Sequence, residues 1–309
     1  MFSRIVIVGV GLIGGSIGLA AKARHVSPCV VGIDTNSENL RLAKQIGAID
    51  LSAEDLETGI NLTGGENIPL RDEGEDRGAF IPSSLPGAEL VIVSVPVSHI
   101  ADYVLRSAEV VKTGINYRNV LITDTGSTKE SICAQLANKT LANGCRFIGS
   151  HPIAGKEKHG AANADANLFE NKLTVVTPPV SARDRDIGAL IRFWQSLGAL
   201  VANMSPAEHD RTLARTSHLP HLLSALLADR LQLQDAKYTG TGYRSTTRLA
   251  SGLPEVWQDI ISNNKEAILE AVRDFERALQ HLRERIEAQD WHAVARFLEH
   301  AKQNRDALE

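Results

Sequence analysis

Arg4-Ile5-Val6-Ile7-Val8-Gly9-Val10-Gly11-Leu12-Ile13-Gly14 is an apolar, β-branched run that closes on G-x-G-x-x-G. The small and apolar residues that follow, Gly15-Ser16-Ile17-Gly18-Leu19-Ala20, suit a helix packed on a sheet. In such a strand–turn–helix, Gly9 permits the tight turn and Gly11 lets backbone approach a pyrophosphate. Gly14 allows close helix–strand packing, with Leu12 and Ile13 completing the turn. The helix N-terminus then presents unpaired N–H groups and a positive dipole end to an anion. A second apolar run, Val30-Val31-Gly32-Ile33, ends at Asp34, twenty residues beyond Gly14. A carboxylate there accepts the ribose hydroxyls of NAD. It would repel a 2′-phosphate, and Thr35-Asn36-Ser37 offers no cation to neutralise one, so the expected cofactor is NAD rather than NADP.

Strand-like runs recur at 4–8, 30–33, 90–95, 120–124, 146–149, 173–177 and 200–204. Helical segments fall between them at 36–46, 100–110, 129–137 and 183–197. This alternation predicts an α/β fold, a Rossmann-type doubly wound, mostly parallel sheet. Residues 58–87 interrupt the rhythm with six glycines and the charged run Arg71-Asp72-Glu73-Gly74-Glu75-Asp76-Arg77, and read as a solvated insertion. After Met204 the strand signals stop. Ser205-Pro206-Ala207-Glu208 opens a helix, with a Ser cap, Pro in the first turn and an acid three residues on. Helical periodicity runs to Leu231, and a polar glycine-bearing segment follows at 238–244. From Pro254 one long amphipathic helix is expected, its stripe made by Trp257, Ile261, Ile268, Val272, Phe275, Leu279, Leu282 and Ile286. The domains are therefore expected at 1–204, binding NAD, and 205–309, all helical. The apolar stripe points to a homodimer made through the second.

The 309 residues suffice for two cores. A formal charge of −4 gives no support for nucleic acid or anionic membrane as partners. No apolar run reaches membrane-span length, and a strand beginning at residue 4 leaves no secretory leader expected. Cys29, Cys133 and Cys145 lack metal or C-x-x-C spacing and read as reduced core residues of a cytosolic protein.

Three polar segments fall at the carboxyl ends of expected strands, the ligand side of an open α/β sheet. Ser94-Val95-Pro96 could line the nicotinamide end of the cofactor groove or simply end a strand. In Thr123-Asp124-Thr125-Gly126-Ser127-Thr128-Lys129, Ser127 reads either as a substrate contact or as a helix cap. In Gly149-Ser150-His151-Pro152, His151 follows a strand and is stiffened by Pro152, the best-placed base. The helical half adds His209-Asp210, Ser217-His218-Leu219-Pro220-His221 and Arg248. His218 and His221 share metal-ligand spacing without H-E-x-x-H, so no metal is expected. Arg248, among hydroxyl side chains, could grip a carboxylate bidentately.

Taken together, Gly9–Gly14, Asp124-Thr125-Gly126-Ser127-Thr128-Lys129, Gly149-Ser150-His151-Pro152-Ile153-Ala154-Gly155, Ser217-His218-Leu219-Pro220-His221 and Thr247-Arg248-Leu249-Ala250-Ser251 resemble the prephenate/arogenate dehydrogenase family of tyrosine biosynthesis. Pro254-Glu255-Val256-Trp257 extends the last motif, and the likeness runs over 4–275. The resemblance implies an NAD-dependent oxidative decarboxylation of a cyclohexadienol, made irreversible by aromatisation. It implies His151 as base and Ser127 as the hydroxyl orienting it. It gives Arg248 to a substrate carboxylate, Ser217, His221 and Trp257 to the substrate pocket, and Glu157 to its entrance. It implies a dimer built through the helical domain, with prephenate as substrate and arogenate, or both, as the alternative. Ser245 and Gly252 depart from common family residues, so the pocket carries over less closely than His151. A β-hydroxyacid dehydrogenase would need a lysine where 205–221 has none. A nonenzymatic NAD sensor would need no base beside a carboxylate-binding arginine.

Overall fold

The computed structural model describes residues 2–61, 87–111, 120–156 and 158–308. Strands β1 (Ile5–Val8), β2 (Val30–Ile33), β3 (Leu51–Ala53), β4 (Leu90–Val93), β5 (Leu121–Asp124) and β6 (Arg146–Phe147) form one sheet in the order β3-β2-β1-β4-β5-β6, every pair parallel. Chain order reverses between β1 and β4, which makes the crevice at their carboxyl ends the natural ligand site. Along β1, Ile5 and Ile7 enter one apolar cluster and Val6 and Val8 the other. Both faces are thus covered, which is why the strand reads as an unbroken apolar run rather than an alternating one. Strands β7 (Gly149–Pro152), β8 (Leu173–Thr177) and β9 (Leu200–Asn203) form a second, smaller sheet, β7 antiparallel to β8 and β8 parallel to β9.

The helices are α1 (Leu12–Ala23), α2 (Ser37–Gln45), α3 (Leu56–Asn61), α4 (Val97–Val110), α5 (Glu130–Ala137), α6 (Asp184–Ser196), α7 (Pro206–Leu213), α8 (Leu219–Asp229), α9 (Thr241–Thr246), α10 (Pro254–Asn263), α11 (Lys265–Glu287) and α12 (Trp291–Asp306). Chain contacts divide the molecule into two compact units. The first comprises Met1–Thr212 with Ser251–Asn264 and holds both sheets. The second comprises Leu213–Ala250 with Lys265–Glu309 and is helical among its described residues. Its core is thin: Leu213, Ala214, Ile268, Ala271 and Ala293 are buried, while Leu226, Leu227, Phe275, Leu279, Ile286, Trp291, Phe297 and Leu298 remain exposed. No helix of the described residues is long and apolar enough to cross a membrane.

Four expectations need correction. The run 146–149 is two strands: Ile148 ends the large sheet by donating its N–H to Ile122 O, and Gly149 starts the small one. His151 therefore lies within β7, paired with Val175, rather than after a strand. The long helix from Pro254 breaks at Asn264, whose φ of −126° leaves helical geometry and whose buried amide donates to Asp210 O at 2.8 Å. Trp257 and Ile261 thus belong to the first unit and the rest of the stripe to the second. Residues 241–246 are helical, and 58–61 complete α3. The remainder of the expected insertion, 62–86, lies outside the described residues.

Candidate active site

A cavity of about 540 Å³ opens at the carboxyl ends of β1, β2 and β4, its wall including Gly9, Gly11, Asp34, Ser94, Val95 and Pro96. Gly9 has φ +91°, and a Cβ there would lie 2.3 Å from Ser94 O. A Cβ on Gly14 would lie 1.9 Å from Gly9 O, so both glycines are demanded by the chain's own packing. Gly11 differs: its φ is an ordinary −67°, and a Cβ there would meet no protein atom within 4 Å. The missing side chain preserves open space on the cavity wall, not room for another part of the fold. Helix α1 starts there with no side-chain cap and no acid in its first turn, leaving N–H groups able to receive an anion. Asp34 Oδ2 accepts from Val10 N at 3.0 Å and Oδ1 from Asn36 N at 2.8 Å, which fixes its carboxylate at the cavity rim. These features fit a dinucleotide laid along the β1–α1 turn.

Beyond β4, Thr125 Oγ1 donates to Ser94 Oγ at 3.0 Å, joining the ends of β4 and β5. Asp124, fully buried at the end of β5, holds the polar segments together. Its carboxylate accepts from Gly126 N at 2.9 Å, from Ser150 N at 3.1 Å and from the buried ammonium of Lys129. Ser150 Oγ donates to Asp124 O at 2.6 Å and accepts from Trp194 Nε1 at 3.2 Å. The residues flanking Ser127 and preceding His151 are therefore clamped to one side chain. Ser127 is not the cap of α5: Lys129 holds that position, and the capping carboxylate comes from Asp210.

His151 is buried, and its Nδ1 lies 2.9 Å from His209 Nε2. His209 Nδ1 lies 2.7 Å from Asp210 Oδ1, both side chains being inaccessible to solvent. Asp210 also accepts from Lys129 N at 2.7 Å and Glu130 N at 2.9 Å. An ionised carboxylate only accepts, so His209 Nδ1 donates to it. With both rings neutral, His209 Nε2 accepts from His151 Nδ1–H, and the lone pair of His151 sits on Nε2. The arrangement thus chooses the tautomer of His151 and, through Asp210, ties it to the start of α5. His209 and Asp210 were visible in the sequence as a pair without a role. Their spacing from Leu213 and Ala214, four residues on, is the signal that places them on the buried face of α7.

Trp257 is half-buried on α10. That helix is seated on α4, Asp259 accepting from Ser98 N at 3.2 and 3.3 Å, two residues past Pro96. In the second unit, a π-helical turn at Ala214–His218 joins the end of α7 to α8, a feature frequent at functional sites. His221 Nδ1 donates to Ser217 O at 3.0 Å. Burial pushes the His221 imidazole below its ordinary value; the Ser217 carbonyl raises it, and the nearby Arg248 guanidinium lowers it further. Ser217, His221 and Arg248 are thus brought together. Glu157 lies outside the described residues. Burial pushes the Cys133 and Cys145 thiols up to about 11, which leaves neither nucleophilic at neutral pH. Among the described residues no group of three or more His, Cys, Asp or Glu is arranged to hold a metal ion.

Known proteins resemble this chain in sequence and in fold. Residues 72–203 match the model of the prephenate dehydrogenase nucleotide-binding domain, and 205–302 that of the prephenate dehydrogenase dimerization domain. The chain is 31% identical to the prephenate dehydrogenase of Bacillus subtilis over 100% of its own length and 76% of that protein. It is also 31% identical to the cyclohexadienyl dehydrogenase of Zymomonas mobilis, over 99% of this chain and 95% of the relative. Among solved structures, the Aquifex aeolicus prephenate dehydrogenase in complex with hydroxyphenyl propionate and NAD+ matches with a TM-score of 0.84. That match has 27% identity and covers 100% of this chain and 99% of that one. The nucleotide-binding fold, the two matched domain models and the relatives converge: the chain belongs to the prephenate dehydrogenase family, NAD-dependent oxidoreductases.

Proposed function

We propose that this protein oxidises and decarboxylates prephenate to 4-hydroxyphenylpyruvate, the single supporting observation being the buried His151–His209–Asp210 chain. Bound NAD supplies the hydride acceptor. Gly9, Gly11, Leu12, Ile13 and Gly14 form its pyrophosphate turn, Asp34 takes the adenosine ribose, and Ser94, Val95 and Pro96 lie toward the nicotinamide. His151 Nε2 accepts the proton of the ring hydroxyl as the C–H bond at that carbon breaks and hydride departs. The C–C bond to the ring carboxylate then breaks, carbon dioxide leaves, and its electron pair completes the aromatic ring. The family resemblance supports giving the hydroxyl-orienting role to Ser127, a substrate carboxylate to Arg248, and substrate contacts to Ser217, His221, Trp257 and Glu157. The neutral state favoured for His221 suits a hydrogen-bonding role beside that arginine.

The cyclohexadienyl dehydrogenase relative supports a second reading, in which arogenate is also accepted. Specificity constants for prephenate and arogenate, with NAD and purified protein, decide between them. A larger constant for prephenate is expected; no NAD reduction with either would reject the function.

Within this mechanism Asp210→Asn replaces the carboxylate that selects the His209 tautomer with a neutral amide, which has one acceptor oxygen for three donors. Turnover should fall by about 10–100-fold. The melting temperature should fall as well, because α5 loses a charged cap. Asp210→Glu should restore part of both, and unchanged turnover would remove His209 from the mechanism.

The second unit is proposed to form a homodimer in the cytoplasm. The exposed apolar residues of α8, α11 and α12 are too numerous to leave in water, and the matched dimerization model covers them. Light scattering across a dilution series should give twice the chain mass; an active monomer at assay concentration would remove the argument.

A further inference from the structure

The rim of the nucleotide cavity carries a second carboxylate that no motif marks. In the β2–β3 pair, Ile33 lies opposite Ala53, and Asp34 N donates to Ala53 O at 3.3 Å. The next residues, Asp34 and Glu54, therefore stand side by side at the ends of adjacent strands, roughly 5 Å apart across the ladder. Both line the cavity. Asp34 is largely committed: Val10 N, Asn36 N and Asn39 Nδ2 take three of its acceptor sites. A carboxylate offers about four, so one remains for a ribose hydroxyl. Glu54 is exposed and has no hydrogen bond or ion pair among the described residues. Asp55, also in the wall, is spent on α3, accepting from Thr58 N and Thr58 Oγ1 at 2.8 Å each. Arg106 is the one arginine or lysine of that wall among the described residues. It already faces Asp102 at 3.5 Å and lies over the Tyr103 ring.

We propose that Glu54 is a specificity-determining residue that, with Asp34, rejects the 2′-phosphate of NADP. The inference rests on the cavity being the NAD site. Asp34 would hold one ribose hydroxyl, while Glu54 is the exposed, uncommitted charge that meets any group added at the 2′ position. A phosphate monoester there carries about −1.5 to −2 charges at neutral pH. The wall sets three carboxylates against one arginine that is already compensated. Replacing Asp34 alone is therefore insufficient to admit NADP.

The test is direct binding, read from NADH and NADPH fluorescence without substrate. Wild type should bind NADH and discriminate strongly against NADPH. Glu54→Gln should tighten NADPH by about 5–20-fold, from one removed charge in partly aqueous surroundings, and leave NADH within about twofold. Asp34→Ser should weaken NADH yet still bind NADPH poorly, and adding Glu54→Gln should bring NADPH to parity with NADH. The gain from Glu54→Gln should shrink as salt is raised, because exposed charges are screened beyond about 10 Å at 0.1 M. Glu54→Gln moving both nucleotides equally, or moving NADPH less than about twofold in both backgrounds, would overturn the proposal. Wild type failing to bind NADH would instead reject the cavity assignment, and the proposal with it.

Discussion

His151→Asn is expected to lower turnover with prephenate by about 10²–10⁴-fold while leaving NADH binding almost intact. Asparagine keeps a polar group of similar reach in β7, so its strand pairing to Val175 should survive. What is lost is the lone pair on Nε2. As pH falls, protonation of that nitrogen in the wild type removes the acceptor, so activity should fall on the acid side. In His151→Asn that acidic limb should disappear along with the rate. Retention of both rate and limb would demote His151 to a binding residue and make His221 the leading base. The steady-state rate across pH, with NADH titrated separately, distinguishes these outcomes.

Arg248→Ala is expected to raise the Michaelis constant far more than it lowers turnover, because binding is lost before chemistry begins. Loss of a charge-assisted pair costs about 1.5–3 kcal/mol, which is about 10–150-fold in the constant. A second consequence is visible without substrate. The Arg248 guanidinium is one of the groups lowering His221, so its removal should move the His221 titration upward in an NMR pH series. An unchanged Michaelis constant with an upward His221 shift would move the carboxylate site elsewhere, to Lys156 or Arg244. Absence of the His221 shift would contradict the geometry of the second unit.

The nucleotide half was legible because its signals are local. Residues 5–8 are apolar at every position since successive side chains enter different cores, and the glycine spacing follows from clashes within one turn. Strand β3 escaped notice because Leu51-Ser52-Ala53 is too short to show a period. The 146–149 run hid a change of sheet at Ile148, where the lone Gly149 is the one residue that marks the break. The helix break at Asn264 has a tertiary cause, an amide drawn to Asp210 O. The same limit applies in the site. His151 was legible from its own segment, but its partner lies 58 residues away, and Asp210 caps a helix 80 residues upstream. Glu54 was invisible for a related reason: only the β2–β3 register sets it beside Asp34.

The proposed reaction couples NAD reduction to loss of the ring carboxylate of prephenate. Purified protein with NAD and prephenate should yield NADH and carbon dioxide in equal amounts, together with 4-hydroxyphenylpyruvate. NADH without carbon dioxide would make it a dehydrogenase of another substrate class, and neither product, from folded protein that binds NADH, would rule out the proposed reaction.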